Sequence, residues 1–308
     1  MTDISIVIPV YNEENNVEML HSQIKGVLKK QSYEIIFVDD GSTDNTFNTL
    51  NKINDSHLKI IKFRRNFGQT AALSAGFSNS SGKIIVQMDG DLQNDPFDIP
   101  KLIDNIDGYD MVSGWRFDRK DSFSKKILSK FANCFRRLLI HDPVHDSGCS
   151  LKAYKRECFN EIDLYGDMHR YIPALLGWKG FKIGEVKVNH FQRKFGETKY
   201  NYKRLFRGLL DLLNILFWRK YSSRPLHLFG ALGILLSSLG LLLGFVLLVL
   251  RLLGLKNLGE SQLPLLAVLL VVIGIQFFIS GLMADISIKN YYSNGKKTYS
   301  IEKIIEKK

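Results

Sequence analysis

Cysteine is scarce in this 308-residue chain: Cys134, Cys149 and Cys158 are the whole supply, and no two stand in a Cys-x-x-Cys spacing. An odd number without that spacing argues against a disulfide framework or a cysteine zinc site, and fits reduced thiols in the cytosol. A leader is missing too. Met1-Thr2-Asp3 carries no basic stretch and runs straight into a strand pattern, so no signal peptide is expected. No internal repeat is evident. The absence that says most is of charge: no Asp, Glu, Lys or Arg occurs between Arg224 and Arg251, nor between Glu260 and Asp285. Each window can cross a hydrocarbon core of about 30 Å, and two in tandem with a short linker read as a transmembrane hairpin, at about 225–250 and 262–286.

The flanking charges set an expected orientation. Arg219, Lys220 and Arg224 precede the first span, and Lys289, Lys296 and Lys297 follow the second, while the connecting loop offers only Arg251 and Lys256. Positive residues stay inside, which places both termini and residues 1–220 in the cytoplasm of a multi-pass membrane protein. The net charge of +11 calls for an anionic partner. Nucleic acid would explain the charge but not the hairpin, so none is expected. A phosphorylated substrate and a membrane surface explain both. Residues 123–140 place Phe123, Ile127, Leu128, Phe131, Phe135, Leu138 and Leu139 at helical spacing among lysines and arginines. Residues 202–221 do the same and lead into the first span. Both are expected to be amphipathic helices lying on the membrane. The expected organisation is a catalytic domain at 1–200, a juxtamembrane helix at 201–222, the hairpin at 225–288 and a basic tail at 289–308.

What the first half does have is a regular alternation. Apolar strand patterns at 4–9, 33–39, 58–63 and 83–88 are separated by helical segments, giving βαβαβαβ and hence a doubly wound, mainly parallel sheet. In such sheets ligands bind beyond the carboxyl ends of the strands. Four polar stretches fall there: Pro9–Glu13, Asp39–Ser42, Asn66–Gln69 and Asp89–Gln93. In the last of these, alternation along an extended chain would set Asp89, Asp91 and Gln93 on one side, with Gly90 giving a ligand close approach. Three oxygen-bearing side chains so placed suit a hard divalent cation, Mg²⁺ or Mn²⁺, that shares itself with phosphates. The plainer reading is a turn capping the helix that starts at Asp95-Pro96.

Taken in order, Pro9-Val10-Tyr11-Asn12-Glu13-Glu14, Val38-Asp39-Asp40-Gly41-Ser42-Thr43-Asp44 and Asp89-Gly90-Asp91-Leu92-Gln93 resemble the nucleotide-sugar site of inverting family 2 glycosyltransferases with a GT-A fold. Gly114–Ser122, His145–Tyr154 and the hairpin are similar to the polyprenyl-phosphate glycosyltransferases, the group related to dolichyl-phosphate mannose synthase. The resemblance spans nearly the whole chain. It implies donor contacts from Pro9, Tyr11, Glu13, Asp39, Asp40, Gln69, Asp89 and Gly90. It implies a metal held by Asp89, Asp91 and Gln93, and an acceptor-side role for Asp146, as base or as orienter of basic side chains. It also implies homo-oligomers formed through the membrane segments.

The acceptor such an enzyme uses, a lipid phosphate, is largely dianionic at neutral pH, so the site needs cations more than a general base. Arg116 is the first choice for its forked guanidinium, followed by Arg119, Lys130, Arg193 and Lys199. Asp91, Asp146 and Arg116 form the expected catalytic set. Transfer of one sugar to polyprenyl phosphate is the expected reaction, with UDP-glucose as donor and GDP-mannose as the alternative. A processive polysaccharide synthase is disfavoured, since Gln192-Arg193-Lys194-Phe195 departs from the Gln-x-x-Arg-Trp pattern and only two spans are present. An inactive membrane scaffold that keeps nucleotide binding is the rival from outside catalysis.

Overall fold

Strand formation in the first half follows from β-branched runs that alternate between two buried faces. The computed structural model describes residues 2–117, 143–160, 162, 164, 168–191, 225–255 and 261–293. The expected interfacial helices and most of the basic tail lie outside the described residues, as do Arg119, Lys130, Arg193 and Lys199. The chain divides into two units, Met1–Leu212 and Leu213–Lys308.

The first unit is built on a seven-stranded sheet. Its strands are β1 (Ile4–Val10), β2 (Tyr33–Asp39), β3 (Leu58–Lys62), β4 (Ile84–Gln87), β5 (Met111–Trp115), β6 (Lys152–Lys155) and β7 (Ile183–Lys187), in the order β3-β2-β1-β4-β6-β5-β7. The first four strands pair in parallel, as the alternation predicts. β6 runs antiparallel between β4 and β5, while β5 and β7 pair in parallel. The sheet is therefore mixed.

Helices α1 (Val17–Leu28), α2 (Thr46–Lys52), α3 (Gln69–Ser78), α4 (Ile99–Asp104) and α5 (Ile172–Trp178) complete the described part of this unit. The period of two sorts the strand side chains into two cores. Ile6, Ile8, Ile35 and Phe37 face Leu20, Ile24 and Leu102, whereas Val7, Ile36 and Val38 face Leu73, Phe77, Ile172 and Leu176. Both faces of the sheet are thus covered, as parallel sheets require. The turn after β2 depends on Gly41, at φ 70°, because an added Cβ would lie 2.7 Å from Arg65 Cα.

The second unit contains α6 (Pro225–Leu252) and α7 (Leu263–Ser293), both long and apolar enough to cross a membrane. α7 continues past the expected end of its span. The two helices meet along small residues: Gly233 and Gly240 on α6, Gly274 and Gly281 on α7. A Cβ on Gly233 would come 2.6 Å from the Gly274 carbonyl oxygen, and one on Gly240 would come 2.7 Å from that of Ala267. Close backbone approach through small residues is how helices gain packing in lipid.

The fully buried Phe37 tests the core of the first unit. Phe37→Ala is expected to cost about 3–5 kcal/mol in urea unfolding of the detergent-solubilised protein. The exposed Phe97 sets the baseline, with Phe97→Ala expected within about 0.5 kcal/mol of wild type.

Candidate active site

Each polar stretch at a strand end is fixed by backbone hydrogen bonds before any ligand is considered. After β1, Asn12 sits at φ 57°. Its N–H donates to Ser42 Oγ (3.0 Å), and its Oδ1 accepts from the Thr43 N–H (2.8 Å). Glu13 N–H donates to Thr46 Oγ1 (2.8 Å), and Asn45 N–H donates to Glu14 Oε2 (2.9 Å). The loops after β1 and β2 are therefore latched to each other. Pro9 lies in β1 opposite Val38 and leads to Tyr11, which is exposed at the start of this loop.

The two aspartates after β2 divide their work. Asp40 accepts the N–H of Phe67 (2.7 Å) on Oδ1 and that of Gly68 (2.9 Å) on Oδ2. It thereby holds the loop that starts α3. Each oxygen accepts one backbone N–H, so Asp40 positions the loop after β3, and its remaining lone pairs leave the expected nucleotide contact open. Asp39, also buried, accepts Ser42 N–H on Oδ1 (2.9 Å), and its Oδ2 has no hydrogen-bond partner among the described residues. A buried carboxylate oxygen left in this way costs free energy unless a donor reaches it.

Beyond β4 the chain does not stay extended. Leu92 takes φ 59°, and Asp91 Oδ1 accepts the Gln93 N–H (3.1 Å), so the acidic motif is a tight turn. The side-chain amide of Gln93 donates to the Phe191 carbonyl (3.4 Å). At Gly90 an added Cβ would lie 2.6 Å from Val10 Cγ1 and 3.4 Å from the Pro9 carbonyl oxygen, so the glycine lets the turn pack against β1.

Asp89 is the electrostatic centre of this turn. Burial, then the neighbouring Asp91 charge, push its carboxyl up to about 6, while Ser150, Lys152 and Arg116 pull it back. Gln69, at the start of α3, donates Nε2–H to Asp89 Oδ1 (2.8 Å). Ser150 Oγ, which hydrogen-bonds Asp89, also accepts from Asn94 Nδ2 (2.7 Å).

Opposite this, at the end of β5, the Arg116 guanidinium forks onto Asp146. Nε meets Oδ2 at 2.7 Å and Nη2 meets Oδ1 at 2.9 Å, with both side chains nearly excluded from water. This contact is the one an orienting Asp146 would make. The Nη1 side of Arg116 faces His190 Nε2 at 3.4 Å. The turn that carries Asp146 is itself gripped from β7, where Glu185 Oε1 accepts the His145 N–H (2.7 Å) and Oε2 lies 2.6 Å from His145 Nδ1.

Asp89 and Asp91 fit a divalent cation. Two carboxylates confined together raise the cost of each other's ionisation, and a hard cation relieves this. Among the described residues no group of three or more His, Cys, Asp and Glu side chains gathers into a metal site. The ion would therefore complete its coordination with neutral oxygens and with phosphate oxygens of a substrate.

A family model described as Glycosyl transferase family 2 matches residues 5–163. Dodecaprenyl-phosphate galacturonate synthase of Rhizobium johnstonii is 36% identical over 319 residues, covering 99% of this chain and 93% of that protein. The chain belongs to glycosyl transferase family 2. Undecaprenyl-phosphate 4-deoxy-4-formamido-L-arabinose transferase of Proteus mirabilis is 34% identical, covering 98% of this chain and 94% of that one. Among solved structures, glucosyl-3-phosphoglycerate synthase from Mycobacterium tuberculosis, in complex with Mn²⁺, uridine diphosphate and glucosyl-3-phosphoglycerate, superposes with a TM-score of 0.56 at 20% identity. That match covers 71% of this chain and 80% of that one, and marks the fold as GT-A type.

In this family 2 transferase the residues that sequence reading missed are the supporting ones: Ser150, Lys152, Glu185 and His190. Only Lys152 left a signal, as a charge inside the apolar strand Leu151-Lys152-Ala153-Tyr154.

Two tests follow from this geometry. Asp146→Ala strands a buried guanidinium and is expected to cost about 3–5 kcal/mol in urea unfolding, while Asp146→Ala combined with Arg116→Leu should cost less than the two single changes summed. The second concerns pH. The folded pKa of Asp89, about 6, stands above the unfolded value near 3.9, so the folded state holds the extra proton between them. This group's contribution to stability then falls as pH rises from about 4 through about 6. The slope should appear in metal-free wild type and be missing from Asp89→Asn.

Proposed function

We propose that the protein transfers a single sugar, with inversion, from a nucleotide sugar to a polyprenyl phosphate at the cytoplasmic face of a membrane. The observation that carries the reading is the pairing of two unmet demands in one site. Asp39 Oδ2 is a buried acceptor without a donor among the described residues, and burial together with the Asp91 charge pushes the Asp89 carboxyl up to about 6. A nucleoside diphosphate with its divalent ion answers both. The base or ribose would supply N–H or O–H to Asp39, and Asp89 and Asp91 would hold a divalent ion that offsets the charge of the diphosphate. The lipid acceptor is supported by the named activities of the two relatives above and by the apolar hairpin.

A bound Mg²⁺ or Mn²⁺ would supply Lewis acidity to the leaving diphosphate. The chain's own residues do the rest. Gln69 and Ser150 hold Asp89 in place. Arg116, oriented by Asp146, presents positive charge to the acceptor phosphate. That phosphate arrives as a dianion, so its oxygen attacks the anomeric carbon without a protein base, and the nucleoside diphosphate departs. Arg119, Lys130, Arg193 and Lys199 are proposed as further phosphate contacts. The arginines and lysines flanking the spans support a cytoplasmic catalytic unit.

The relatives' sugars are galacturonate and 4-deoxy-4-formamido-L-arabinose, so the glucose donor becomes one arm of a screen and mannose loses its place as the main alternative. Purified protein with Mg²⁺ or Mn²⁺ and a short polyprenyl phosphate would be offered UDP-galacturonate, UDP-4-deoxy-4-formamido-L-arabinose, UDP-glucose and GDP-mannose. The expected result is one lipid-linked sugar, lost on chelation and lost in a folded Asp91→Ala variant. Nucleotide binding with no lipid product from any donor would favour the inactive scaffold. Full activity in Asp91→Ala would sink the metal reading.

A further inference from the structure

Lys152 is the one lysine among the described residues that is fully withdrawn from water, with 1% of its surface exposed. It opens β6 directly opposite Gln87 of β4, two residues before Asp89. Its ammonium has three donors, and a single hydrogen bond is made, to the Ser147 carbonyl oxygen at 3.2 Å. No carboxylate among the described residues comes within ion-pair distance of it. A strand position of this kind packs well with leucine or methionine, and a buried cation with one carbonyl for company is costly. The cost is offset only by longer-range attraction. Burial lowers the Lys152 pKa from its ordinary value, while Cys149, Asp146 and Asp89 favour the charged form and Arg116 opposes it. Lys152 therefore lies beneath both halves of the site, the acidic turn after β4 and the Arg116–Asp146 pair after β5.

We propose that Lys152 is a positioning residue for the transfer site. Its ammonium anchors the turn carrying Asp146 through the Ser147 carbonyl, and its charge sets from below how negative a face Asp89 and Asp91 present to a divalent cation. This rests on the metal reading of the proposed function. The consequence has a sign that packing alone would not produce. A fixed positive charge near a cation site weakens cation binding, so removing it should tighten binding even as it harms turnover. A metal held less tightly than the carboxylates alone would hold it leaves with the nucleoside diphosphate product more readily.

The test uses the full-length protein in detergent with Mn²⁺ alone as probe, titrated by electron paramagnetic resonance at pH 8, where Asp89 is ionised. Lys152→Met is expected to bind Mn²⁺ about fivefold or more tightly than wild type, with lower transfer to polyprenyl phosphate. Lys152→Arg, which keeps the charge, should hold wild-type Mn²⁺ affinity. If Lys152→Met does not fold, Lys152→Gln carries the same expectation with a polar group left beside Ser147. Unchanged or weaker Mn²⁺ binding in a folded neutral variant overturns the inference and leaves the proposed function standing. A wild-type protein that takes up no Mn²⁺ overturns both.

Discussion

Mutual repulsion between Asp89 and Asp91 is the constraint around which the site is built. Two carboxylates in a place poor in water are unfavourable, and the surroundings read as responses to that fact. Gln69 and Ser150 donate to Asp89, while Lys152 and Arg116 lend positive potential from opposite sides. Burial and the Asp91 charge outweigh these contacts, and the Asp89 carboxyl stays raised, at about 6.

The same logic explains why so many hydrogen bonds at the strand ends run from backbone to side chain. A site that presents open acceptors such as Asp39 Oδ2 must be kept from collapsing onto them. The latch between the loops after β1 and β2, and the grip of Asp40 on residues 67 and 68, do this by using up the nearby donors. Pre-organised dipoles of this kind need not rearrange when charge moves during reaction.

Much of this was legible in the sequence because it rests on periodicity. The parallel strands, the two apolar spans and the convergence of polar strand ends all follow from which residues are apolar and how they are spaced. The antiparallel insertion of β6 did not show, because Lys152-Ala153-Tyr154-Lys155 is short and its direction is decided by partners far away in sequence. Asp40 and Gly90 carry structural work that their motifs do not announce, Asp40 by holding a loop and Gly90 by clearing Val10. Sequence spacing identifies which side chains reach a site, but not which of them are spent in shaping it.

The antiparallel course of β6 has a further effect. Because β6 enters from the site end of the sheet, Asp146 arrives beside Arg116 after an excursion of 30 residues that begins and ends at one point. The Arg116–Asp146 clasp closes that excursion as a buckle closes a strap. Losing the clasp would therefore loosen the ends of β5 and β6 together, since each carries one half of it.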